Sequence, residues 1–145
     1  MIKTNAGELP WIPKGWGGEK WIDNNDLYCG KLLFFVKGKK CSLHMHFDKR
    51  ETFYINKGKI WVFWSDECDQ IKKIVSESQD GYFGNEAYKT KDITEFLEKT
   101  LLEQGDVFHV PQKRLHMMFA VEDTELFEFS THHDDKDSEK LVRGD

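Results

Sequence analysis

Between Gly38 and Gly58 the chain reads GKKCSLHMHFDKRETFYINKG, which places His44, His46 and Glu51 within eight residues. Side chains two apart on an extended strand share a face. A strand over 41–47 therefore separates Ser42, His44 and His46 from Cys41, Leu43 and Met45. The same parity discounts Cys41 as a ligand or nucleophile. Glu51 follows a short polar bend, after which a returning strand can carry its carboxylate back towards the imidazoles. Much later, His116 in VPQKRLHMMF offers a fourth ligand. This pattern predicts a metal site inside a small β-barrel.

The remainder of the chain supplies strands for such a barrel. Apolar runs over 19–22, 28–36, 51–56, 59–64, 69–76, 100–102, 107–110, 117–121 and 126–130 are strand-length and separated by Gly, Asn, Asp or Pro turn signals. Residues 1–18 read as an extended N-terminal arm, because Pro10 and Pro13 exclude a helix interior. Residues 77–98 read as one insertion loop with a short helical turn near 93–98, and 131–145 as a polar C-terminal tail. With no repeat or linker, 1–145 reads as a single all-β domain.

Composition narrows the function classes. At 145 residues the chain can bury a core without staples. A net charge of -5 gives no basic footprint for nucleic acid. No apolar run reaches the ~20 residues of a membrane span, and the N-terminus lacks a signal peptide's apolar core. Three cysteines without CxxC spacing point to reduced thiols and a cytoplasmic protein. Most of the 11 Phe, 5 Trp and 4 Tyr are expected to serve the barrel core.

Gly38, five residues, His44-Met45-His46, four residues, Glu51, six residues and Gly58 resembles the first cupin motif. Gly105, five residues, Pro111 and then His116 resembles the second, with Lys113 where that pattern has glycine and Ala120 where it has asparagine. The resemblance implies a jelly-roll β-barrel holding a divalent metal through His44, His46, Glu51 and His116. Independently, three imidazoles and a carboxylate suit Zn, Fe, Mn, Ni or Co. Four protein ligands in an octahedral shell leave two positions for water or substrate oxygens.

SLHMHFDKRETFYINKGKIWV with the upstream KGWGGEKWI is similar to the barrel domain of type II phosphomannose isomerases. Gly15 stands where those proteins have proline, Lys20 where glutamate is expected and His44 where many carry glutamine. This resemblance implies a metal-dependent mannose-6-phosphate isomerase-like enzyme that carries out aldose–ketose isomerisation of a sugar or sugar phosphate. Lys113 and Arg114, just before His116, are candidates for holding a phosphate. Glu128 is an acid or base candidate in the last strand. Of Phe53 and Tyr54, which take opposite faces, one is expected to reach the cavity. His109 reads as an ordinary strand histidine and His132-His133-Asp134-Asp135 as part of a solvated tail. The competing expectations are an Fe(II) dioxygenase or lyase on a small molecule, and a non-catalytic sugar- or metal-binding protein. An exposed sheet edge and an arm bearing Trp11 and Trp16 suggest a homodimer.

Overall fold

The computed structural model describes residues 2–77 and 93–145. Two antiparallel sheets face each other, one of six strands and one of five. The larger runs β1 (Trp11–Lys14), β2 (Gly17–Asn24), β3 (Cys29–Phe35), β10 (Thr124–Ser130), β5 (Glu51–Lys57) and β8 (Val107–Val110). The smaller runs β11 (Glu139–Val142), β4 (Leu43–Met45), β9 (Leu115–Ala120), β6 (Lys59–Ser65) and β7 (Glu98–Glu103). The all-β jelly-roll expectation holds. The chain reverses from β5 into β6 at Gly58, whose φ of 94° favours glycine. A Cβ there would also collide with the carbonyl of Asp123.

Period-two alternation determines what lies between the sheets. In β3, Cys29, Lys31, Leu33 and Phe35 are buried and the residues between them only partly so. Leu33, Phe53, Ile55, Val62, Met118 and Leu126 close one end of the barrel as an apolar cluster. The other end is lined by charge, because Glu19, Lys31, Glu51 and Glu128 occupy inward positions on neighbouring strands.

Two expectations are corrected. The segment 69–76 is not a strand but most of helix α1 (Cys68–Ser76). Its two buried residues, Ile71 and Val75, are four apart, one helical turn, and their β-branching does not outweigh that spacing. They pack with Leu43, Met45, Leu115 and Met117 on the outer face of the smaller sheet. The tail over 131–145 is not merely solvated, since it contributes β11 beside β4 and buries Leu141 and Val142. The arm folds onto its own chain: β1 pairs with β2, and Trp16 stacks on Phe35 with ring centroids 4.1 Å apart. A short 3-10 turn at Ile93–Phe96 matches the helical turn expected there. The rest of the expected insertion loop, 78–92, lies outside the described residues.

Candidate metal centre and cavity

His44 and His116 sit directly opposite each other where β4 pairs with β9, and His46 follows one step beyond the end of β4. Their candidate ligand atoms all lie within 4.8 Å of one another, so this three-histidine group could hold a metal ion. Backbone carbonyls orient each ring. Nδ1 lies 2.8 Å from the carbonyl of Ser42 for His44, 3.0 Å from that of Asp137 for His46, and 3.0 Å from that of Arg114 for His116. A carbonyl only accepts, so each Nδ1 carries its proton and each ring in its neutral form presents a bare Nε2. Such outer hydrogen bonds fix tautomer and orientation for metal binding. Burial, then the neighbouring His116 and His46, pushes His44 well below its ordinary pKa. Burial likewise lowers His46 to about 4, even against the attraction of Glu51.

Glu51 lies beside this group. Its Oε2 lies 3.1 Å from Nε2 of His116, and its Oε1 lies 3.5 Å from Nε2 of His46. Because Nδ1–H of His116 donates to the Arg114 carbonyl, Nε2 of the neutral tautomer and Oε2 of Glu51 are two acceptors 3.1 Å apart. Among the described residues, Oε2 of Glu51 is the buried side-chain oxygen that has no hydrogen-bond donor. Two facing acceptors in a buried site need a proton or a cation between them. A divalent ion held by His44, His46, His116 and Glu51 meets that need, so these residues fit the metal that the donor set implies. Burial opposes ionisation of Glu51, and the Lys49 ammonium 2.9 Å from its Oε1 favours it.

Lys49 ties this centre to a second carboxylate. Its ammonium lies 2.9 Å from Glu51 Oε1, 2.8 Å from Glu128 Oε2 and 2.9 Å from His133 Nδ1. Three donors meet three acceptors, which makes full use of a lysine's capacity. The two carboxylates outweigh the cost of burial and raise the Lys49 pKa. Glu128 is shifted upwards, first by burial and then by the charge of Glu51. His133 passes the chain outward, its Nε2 lying 2.8 Å from Asp135 Oδ1.

A cavity of about 570 Å³ opens over these groups, and its lining includes Glu19, Lys31, Phe53, Glu128, His133 and Lys140. Glu128 and Phe53 therefore face it, as sequence parity allowed. Tyr54 does not; it projects from the outer face of β5, 6.4 Å from Phe127. Neither Lys113 nor Arg114 reaches the lining. Arg114 turns outward, forks onto Asp66 at 2.8 and 3.0 Å and stacks over Trp64. The turn holds Lys113 at φ 66°, with its amide donating to the carbonyl of His46. Cys41 lies outside β4, so parity from the histidines fails for it and it lines the cavity. Burial pushes its thiol up to about 12, far from a reactive thiolate. His109 bonds Thr52 on the exterior.

Sequence reasoning missed Lys49, Lys31, Glu19 and the tail residues His133 and Asp137. Lys31 had a readable signal, because it shares parity with Cys29, Leu33 and Phe35. Lys49 had none, since it sits on a bend where alternation stops. Asp137 carries the tail across the centre: its carboxylate accepts from the amides of Phe47, Asp48 and Lys49 at 3.1, 2.9 and 2.9 Å.

Residues 34–142 match the family model described as cupin. Among solved structures, the chain is similar to KdgF from Halomonas sp., with 17% identity and a TM-score of 0.62 over 90% of this chain and 94% of that one. It is also similar to CapF, with 14% identity and a TM-score of 0.65 over 92% of this chain and 34% of that one. For oxalate decarboxylase from Bacillus subtilis the values are 14% and 0.68 over 95% of this chain and 31% of that one. The chain thus spans about a third of the length of the latter two. No curated protein matches the sequence.

Proposed function

This chain belongs to the cupin family, and from its site we propose that it is a metal-dependent enzyme that moves a proton beside the carbonyl of a small hydroxy-carbonyl compound. The finer form of the proposal is aldose–ketose isomerisation of a sugar or sugar phosphate, of the mannose-6-phosphate isomerase type. One observation carries it: a centre of three Nε2-presenting imidazoles and Glu51 is joined through Lys49 to Glu128, a second buried carboxylate in the same cavity. A divalent ion, when bound, would polarise the substrate's carbonyl and adjoining hydroxyl. Glu128 is the proton carrier in this scheme, because burial keeps its carboxyl basic enough to accept a proton and return it to the neighbouring carbon. Lys49 holds that carboxylate in position, and Phe53 supports the apolar floor. Lys113, Arg114 and Tyr54 stand outside the cavity and have no role in the scheme.

The test is an NMR screen in D₂O for exchange at C2 of mannose 6-phosphate and related aldoses with metal-loaded protein. Exchange is expected, and Glu128→Gln should reduce it by ~100-fold or more while metal content stays unchanged. Absence of exchange with every sugar would overturn the isomerase proposal. Three neutral nitrogen donors also suit Fe(II) oxygen chemistry. Substrate-dependent oxygen uptake by iron-loaded protein would favour that second reading.

We also propose a homodimer. The exposed residues Trp11, Ile22, Tyr54, Val107 and Phe129 belong to strands of the larger sheet, and a second copy would cover its outer face. Sedimentation showing only monomer would exclude it. Cys29, Cys41 and Cys68 are all unpaired, which fits a reducing, cytoplasmic setting. No helix among the described residues is long and apolar enough to cross a membrane.

A further inference from the structure

The cavity contains two buried lysines whose surroundings differ. Lys49 spends its ammonium on Glu51, Glu128 and His133, all within 2.9 Å. Lys31 is just as buried, its side chain 3% exposed, and it lines the same cavity. Its ion-pair partner among the described residues is Glu19, at 3.7 Å, beyond hydrogen-bond length. The Oε1 atom of Glu19 that faces it already accepts from Trp21 Nε1 at 2.8 Å. Lys31 also lies over the Trp21 ring, 4.4 Å from its centroid, which attracts the charge and leaves the N–H donors unused. An ammonium that faces the cavity without a short hydrogen bond to the protein keeps its donors free for a group that enters there.

Charge balance points the same way. Among the described residues, the buried side chains of opposite charge are Glu19, Glu51 and Glu128 against Lys31 and Lys49. A divalent ion on neutral imidazoles turns that deficit of one positive charge into an excess of one. The excess grows if Glu128 takes a proton. An anion entering the cavity would remove it.

We propose that Lys31 binds an anionic oxygen group of the substrate, a carboxylate or a phosphate, while the hydroxy-carbonyl end lies at the His44–His46–His116 centre. The proposal rests on the small-molecule reading above and specifies its substrate class. β3 lies two strands from β5, about 10 Å between backbones, and both side chains point inward. A short carbon chain can therefore reach both ends. This places the anion site on β3, away from the Lys113–Arg114 turn.

The experiment is calorimetric binding of mannose, mannuronate and mannose 6-phosphate to zinc-loaded protein, which requires no turnover. At least one anion should bind tenfold or more tightly than mannose, and whichever binds more tightly identifies the group. Lys31→Met, which keeps length and packing on Trp21, should abolish that preference while leaving mannose binding unchanged. Lys31→Arg should retain most of it. A merely structural lysine would instead lower the melting temperature and leave the anion-to-neutral ratio intact. Equal binding of mannose and both anions, an undiminished preference in Lys31→Met, or no binding of either anion would overturn the proposal. The wild-type ratio remains decisive even if a variant fails to fold. Anion preference without C2 exchange would sink the isomerase reading and keep this one. Exchange on neutral mannose without anion preference would do the reverse.

Discussion

On β4 and β9 the cavity side carries His44 and His116, whereas the side turned towards α1 carries Leu43, Met45, Leu115 and Met117. Both sides are buried, yet one presents bare nitrogen lone pairs and the other only hydrocarbon. The apolar backing packs β4 and β9 against α1, which fixes the strands that carry His44 and His116. Positioning and chemistry are thus separated by a single residue's step along the strand.

Substitutions on the two sides should fail in different ways. The largest effect is expected for His116→Ala or His46→Ala. Metal affinity should fall by more than the ~10–100-fold typical of outer-shell losses, with the fold retained. Elemental analysis and thermal unfolding read the two outcomes separately, and a variant that keeps its metal would remove that ring from the ligand set. Leu43→Ala on the opposite side should cost ~2–5 kcal/mol in denaturant unfolding while metal stoichiometry is preserved. If Leu43→Ala instead releases metal at full stability, the two sides are not separable.

Protonation attacks only the histidine side. Between pH 6.5 and about 4 the unfolded chain binds a proton at His46 that the folded ring refuses. Metal-free protein should therefore lose stability as pH falls through that window, on the order of 2–3 kcal/mol, with the low-lying His44 adding in the same direction. Flat stability from pH 6.5 to 4 would contradict the buried, neutral imidazoles. Asp137→Ala should weaken metal binding by ~10–100-fold, since the turn carrying His46 and Lys49 loses its acceptor. It should also cost about 1–3 kcal/mol of stability. Unchanged affinity would show that the turn holds its shape without the tail. The smallest effect is a gain: Lys113→Gly relieves a left-handed φ and should stabilise by about 0.5–1 kcal/mol. A loss at that position would mean that the lysine makes a compensating contact.

Local patterning was enough to read the barrel and the three histidines that the fold brings together. His44 and His46 share parity, Glu51 opens the next strand, and the Gly105–Pro111–His116 spacing marks another. Each is a short-range feature that a strand's period of two translates directly into direction. The misread pieces are those where that period does not apply. In α1, the spacing of Ile71 and Val75 followed the helical turn and not β-propensity. At Cys41 and Lys49 the backbone leaves the strand, so parity carries no information.

What the chain alone determined is therefore the shared inward direction of the histidines, since alternation and ligand chemistry are properties of neighbouring residues. What only the tertiary structure decided is how those donors are completed. The backbone carbonyls that strip each Nε2 of its proton, the tail that ties down the 46–49 turn, and the contrast between a saturated Lys49 and an unsaturated Lys31 all come from residues far apart in sequence. Their partners are chosen by sheet register and chain return, and nothing in a local window encodes either.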